Sequence, residues 1–252
     1  MQARTLPARQ GLTWLKASFA LYRRNPPLVT SAAMACLLAA VILGILPFIG
    51  PFLSLLMQPV LGLLMANVFA CVDSERSITR EALIEGVAQR HVALLQLGGL
   101  QLIMSVILTL ISALLLSLLG VEAPTSLDKV SIANGALLLL PVIIQASLMG
   151  MVFWFAPILV GWHGLPPLKA MFFSFISIKR NFGAFVAHFF NCFIVVMASG
   201  LLLTLGTLVA PGIHDALEGV LRFVLLIVMA PVFMASSYIS YQAIFHVSVE
   251  VD

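Results

Sequence analysis

Polar and ionisable side chains are few in this chain, and where they stand decides what chemistry is open to it. His188 and Asn191 lie three apart, on one face of any helix through them, inside a long apolar run. Polar groups in such runs are functional candidates by default. With Asn67 and Gln145 from other runs they form a candidate intramembrane polar patch. The competing reading is interhelical hydrogen bonding that glues a bundle, and it extends to Gln96 and Gln101. His214 and Asp215 supply two metal ligands, too few for a site. Glu218 and Arg222 have the i,i+4 spacing of a helical ion pair. Cys36, Cys71 and Cys192 all lie in apolar runs, with neither metal-ligand nor disulfide spacing, and behave as small hydrophobes. G-x-S-x-G, H-E-x-x-H, a phosphate-cradling glycine loop and paired intramembrane carboxylates do not occur. The residues point away from an enzyme and call for no cofactor or metal.

Two basic clusters carry more weight. Residues 174–181 (Ser-Phe-Ile-Ser-Ile-Lys-Arg-Asn) echo residues 18–25 (Ser-Phe-Ala-Leu-Tyr-Arg-Arg-Asn), each ending at Asn before a long apolar run. Arg90-His91 is a degenerate third copy, with His91 in the place of the Asn. Basic side chains at a membrane surface attract anionic headgroups by about 1 kcal/mol each. The candidate headgroup contacts are Lys16, Arg23, Arg24, Asn25, Arg90, His91, Lys169, Lys179, Arg180 and Asn181. The alternative is that these charges only fix topology. His163 reads as a loop residue, and Trp162 beside it as an interfacial anchor.

The elements that must position these groups are membrane helices. Of 252 residues 62% are hydrophobic and 9% charged, with mean hydropathy +1.12, against about 25% charged in soluble domains. The net charge of +3 is spread over helix ends and is no nucleic-acid footprint. Six apolar segments, near 28–46, 52–72, 91–119, 134–161, 183–209 and 219–245, each reach the ~20 residues that cross a bilayer. No cleavable leader stands out; residues 1–10 read as a disordered tail. Residues 11–24 form a two-faced helix, with Lys16, Arg23 and Arg24 opposite Trp14, Leu21 and Tyr22. That pattern suits a helix lying among headgroups, its rings turned to the acyl boundary. Residues 168–180 form a second such helix behind Pro166-Pro167, and 82–89 a short third.

Pro59, Pro141 and Pro231, each followed by Val, are candidate kinks in the second apolar segment of each pair. The interval from Arg to Pro is 141 − 90 = 51 and 231 − 180 = 51 in the later two pairs. Fixed spacing marks repetition, and we read one membrane domain of three tandem units, 11–73, 77–161 and 165–246. The kinked helices either frame a cavity or serve packing. Of the basic residues only Lys129 and Arg222 fall on the side away from the N-terminus, so the positive-inside rule puts both termini in the cytoplasm.

Several short patterns resemble a family of uncharacterised, mainly proteobacterial, six-span inner-membrane proteins. They are Gly-x-x-Trp-x-x-x-Ser-Phe (Gly11, Trp14, Ser18, Phe19), Pro-x-x-Gly-Pro (Pro47, Gly50, Pro51) and Leu-Lys-Ala…Ser-Phe…Arg-Asn (Leu168, Lys169, Ala170, Ser174, Phe175, Arg180, Asn181). The last is also similar to the membrane portion attached to some glycerophosphodiester phosphodiesterases, without their catalytic domain in these residues. The resemblance implies an all-α six-helix fold and an inner-membrane address, and assigns no activity. The expected role is a non-enzymatic envelope protein that organises anionic lipids or a membrane-protein partner. The alternative is a small transporter or channel-like protein, with Pro59, Pro141 and Pro231 facing a wet cavity beside Asn67, Gln145 or His188.

Overall fold

The computed structural model describes residues 3–121, 132–209 and 214–245; the side chains at 132–136, 203, 207–209 and 214–217 lie outside the description. Outside it too are the loop with Pro124, Asp128 and Lys129, the side chains of His214 and Asp215, and the acidic tail. Among the described residues every regular element is a helix: α1 (Gln10–Arg24), α2 (Pro26–Ile45), α3 (Gly50–Asp73), α4 (Arg80–Leu83), α5 (Val87–Leu118), α6 (Ile132–Phe153), α7 (Ala156–His163), α8 (Pro167–Arg180), α9 (Phe182–Val209) and α10 (His214–Phe245). Six spans are long and apolar enough to cross a membrane, with mean hydropathy from 2.0 to 2.5. The chain is a polytopic membrane helix bundle.

Local chemistry sets the boundaries. Asn25 Oδ1 accepts from Leu28 N (3.4 Å), and Pro26-Pro27 occupy the first turn of α2, where no amide donor is needed. Thr79 caps α4 through Ala82 N (3.2 Å). The short helix expected at 82–89 is instead confined to Arg80–Leu83, because Gly86 at φ 73° turns the chain and α5 starts at Val87, bent at Arg90. The fourth segment is likewise two helices, broken at Trp154-Phe155 ahead of Pro157. Proline in the first turn of α7 lacks the amide needed to continue α6.

α3 is the central helix: 56% of its span is buried, against 22% or less of every other span. It touches α1, α2, α4, α5, α7 and α10. The core gathers where the short helices lie: Trp14, Leu63, Leu94, Leu97, Phe155, Leu159, Tyr241 and Ile244 form one cluster. Leu21, Tyr22, Val29, Phe69 and Tyr238 form another. At the opposite end, Leu110, Leu114 and Leu118 of α5 and Leu201, Leu202 and Leu205 of α9 are exposed. The helices converge at the end that carries the short helices and open apart at the other.

The short helices rest on neighbouring hairpins. α1 packs on α9 and α10, α4 on α3, and α8 on α6 and α7. This corrects the expectation for α1. Trp14, at 1% exposure, makes edge-to-face contact with Phe185 and His188, and Tyr22 is buried beside α2, so protein covers the aromatic face that was expected to meet lipid. Gly11 makes the approach possible: a Cβ there would lie 3.0 Å from the Ala187 carbonyl carbon. Residues 3–9 are no free tail either. Arg4 N donates to the Ile244 carbonyl (3.0 Å), and Ala3 and Leu6 pack against the core.

Candidate functional site at the converged end

Asn67 projects from α3 into the angle between α4 and α7. Its Nδ2 donates to the carbonyls of Leu83 (2.8 Å) and Glu85 (2.9 Å), and its Oδ1 accepts from Trp162 Nε1 (2.7 Å). Its amide is thereby spent on structure. Trp162 lies edge-on to Tyr238 and Tyr241, and His163 ends α7 against the Tyr241 hydroxyl rather than standing in a loop. Nearly two turns further along α3, Asp73 accepts from Arg24 through Oδ1 (3.1 Å) and from the Tyr238 hydroxyl through Oδ2 (3.0 Å). Gln242 Nε2 donates to that hydroxyl (3.0 Å). Arg24, half-exposed, spends one terminal guanidinium amine on α3. Between these groups opens a cavity of about 490 Å³, lined by Asn67, Asp73, Arg76, Glu85, Trp162, Tyr238 and Gln242 among others.

Asn181 is a second correction. At 1% exposure it donates through Nδ2 to the carbonyls of Arg4 (2.9 Å) and Ser177 (2.9 Å) and accepts from Leu6 N (2.7 Å), tying residues 4–6 to the α8–α9 junction. Lipid has no access to it. His188 is fully buried, its Nδ1 donating to the Gly11 carbonyl (3.2 Å), while Asn191 bonds the Ala187 carbonyl of its own helix (2.6 Å). The two do not join into a patch, and neither meets Asn67. Gln145 links α6 to Ser105 and Thr109 of α5 (3.5 and 3.3 Å), and Gln58 pairs with Gln101 between α3 and α5.

The three internal prolines share no common chamber. Pro59 alone borders a cavity of about 360 Å³, with Gln58, Gln101, Trp154, Pro157 and Ser237; Pro231 is buried in packing and Pro141 half-buried. Asn67, Gln145 and His188 do not line that cavity.

The remaining candidates face outward. Lys16 and Arg23 lie on the exposed side of α1, and Asn25 is used as a cap. Arg90 at the α5 bend lays its guanidinium against Gly164, whose φ of 63° and missing side chain leave the room. His91 bonds the Ala88 carbonyl (3.0 Å). Lys169 lies 6.0 Å from the Phe173 ring, and Lys179 and Arg180 are exposed at the end of α8. Ile178 just before that basic pair and Phe182 two residues after it line an apolar groove of about 590 Å³ between α6 and α9. Trp154, Phe185, Phe189, Phe190 and Phe193 join Phe182 in its aromatic lining. The groove was missed from sequence, though its signal is there: Phe182, Phe185, Phe189 and Phe193 fall three to four apart, one helical stripe.

No family model matches the chain, and no solved structure matches it. A protein of Burkholderia thailandensis described as a probable inner membrane protein is 34% identical over 207 residues, covering 75% of this chain and 74% of that protein. The likeness extends across most of both chains, and six membrane-length helices are in keeping with an inner-membrane protein. This chain belongs to the same family of multi-pass inner-membrane proteins.

Proposed function

We propose that this protein is a non-enzymatic inner-membrane protein that retains anionic phospholipid, with acyl chains in the α6–α9 groove and the headgroup at Lys179 and Arg180. One observation carries the reading: Ile178 and Phe182 of the aromatic groove stand either side of the exposed Lys179 and Arg180 in the chain, so an apolar trough and two cations are offered to one amphiphile. In the bilayer the available occupant is lipid, and the second and third hairpins leave the trough open because α8, not direct packing of α6 on α9, joins them. Both chain ends, which meet through Arg4 and Ile244, lie in the cytoplasm in this reading.

Native mass spectrometry of gently extracted protein tests it. The wild type is expected to keep a stoichiometric anionic lipid. Lys179→Gln with Arg180→Gln removes two contacts of about 1 kcal/mol each, a weakening of roughly 30-fold. Unchanged retention in that variant sinks the proposal. The transporter reading is supported at one place, the Gln58–Gln101 cavity beside Pro59; saturable solute flux in liposomes, abolished by filling that cavity with Gly62→Leu, would favour it instead.

A further inference from the structure

The cavity between α3, α4, α7 and α10 has a lining that none of the lipid-retaining residues share, and its unused groups are of both signs. Asn67 is saturated by its three bonds. The Tyr238 hydroxyl both donates and accepts. Arg76 uses only Nε, on Ser74 Oγ (2.8 Å), which leaves the terminal guanidinium amines. Among the described residues neither Arg76 nor Glu85 forms an ion pair, and Gln242 Oε1 accepts no bond. The rings of Trp162 and Tyr238, edge to face, complete the wall. A cavity of about 490 Å³ therefore presents donors for an anion together with carboxylate and amide acceptors and aromatic faces for a cation. Arg76 and Glu85 stand exposed at its rim, one of each sign, and a ligand with both charges meets the two at once.

We propose that this cavity binds a zwitterion of the phosphoethanolamine type, its ammonium held by Glu85, Gln242 and the two rings and its phosphate by Arg76. The group can arrive free in solution or as the headgroup of a bilayer lipid, and the chemistry is the same. Protein in phosphatidylglycerol nanodiscs is titrated with radiolabelled phosphoethanolamine by equilibrium dialysis. In a second arm phosphatidylethanolamine is added as a minor lipid and counted by native mass spectrometry. One saturable site per chain is expected in at least one arm, weakened at least tenfold by Arg76→Gln and by Glu85→Gln. Glu75→Gln, in the adjoining cavity, and Lys179→Gln with Arg180→Gln are expected to leave it unchanged, so this site stands or falls apart from the groove. Binding only of the lipid-borne group names the bilayer as the source, and binding of the soluble group names solution. The proposal is overturned if neither arm saturates, if ethanolamine or inorganic phosphate alone binds as tightly, or if either cavity variant binds like the wild type.

Discussion

Asn181 does at one position what a larger interface does elsewhere: two hydrogen bonds from a single buried amide hold the N-terminal segment against the start of α9, and a third ties the amide to Ser177 of α8. Removing it leaves the part-buried Arg4 carbonyl and Leu6 amide without a partner, at a cost of up to about 1–3 kcal/mol each. Asn181→Ala is expected to speed hydrogen exchange at residues 4–6 and trypsin cleavage after Arg4 and Arg9, with a lower thermal midpoint. Equal exchange in variant and wild type would show that the core contacts of Ala3 and Leu6 suffice. At this scale the sequence was only half legible. That Asn181 and Asn67 mattered could be read from polar groups beside apolar runs. Their partners could not, because Arg4 and Leu83 are chosen by tertiary contact and no spacing encodes it.

Between elements, close approach is set by single glycines, and two neighbours make a paired test. A Cβ at Gly98 would fall 2.9 Å from the Leu56 Cα, where α5 crosses α3, whereas one at Gly99 meets nothing within 4 Å. Gly98→Leu is expected to destabilise the fold by about 1–3 kcal/mol through forced separation of the helices. Gly99→Leu should be close to neutral, and thermal unfolding in detergent or nanodiscs distinguishes them. Helix existence was plain from hydropathy, and ends were plain where Asn25-Pro26-Pro27 or Pro166-Pro167 punctuate the chain. The break before α7 was not, because Pro157 looks the same inside a kinked helix as at the start of a new one. The inward turn of α1 was hidden for another reason. Trp14 and Tyr22 mark an apolar face, and in a membrane both lipid and protein are apolar covers for it.

Over the described residues, the short helices, the paired Arg4 and Ile244 and most basic residues gather at one end of the bundle. In a ring of contacts, each short helix rests on a neighbouring hairpin: α1 on α9 and α10, α4 on α3, and α8 on α6 and α7. The orientation is checked by thiol labelling in a background with Cys36, Cys71 and Cys192 replaced by Ser. Arg80→Cys is expected to react only with reagent given access to the cytoplasm, and Arg222→Cys with impermeant reagent added from outside. The reverse pattern would invert the assignment.

That ring also has an order in time. α1 is made first, yet the surfaces it needs, Ala184 to His188 on α9 and Ser236 on α10, are made more than 170 residues later. Contacts so far apart along the chain cannot form during early synthesis. The nascent protein must carry the Gly11–Trp14–Ser18 face uncovered until its last hairpin has entered the bilayer. A chain stalled or cut before α9 would still insert four spans, and would be left displaying that face, a mark of incompleteness that quality-control proteases could read.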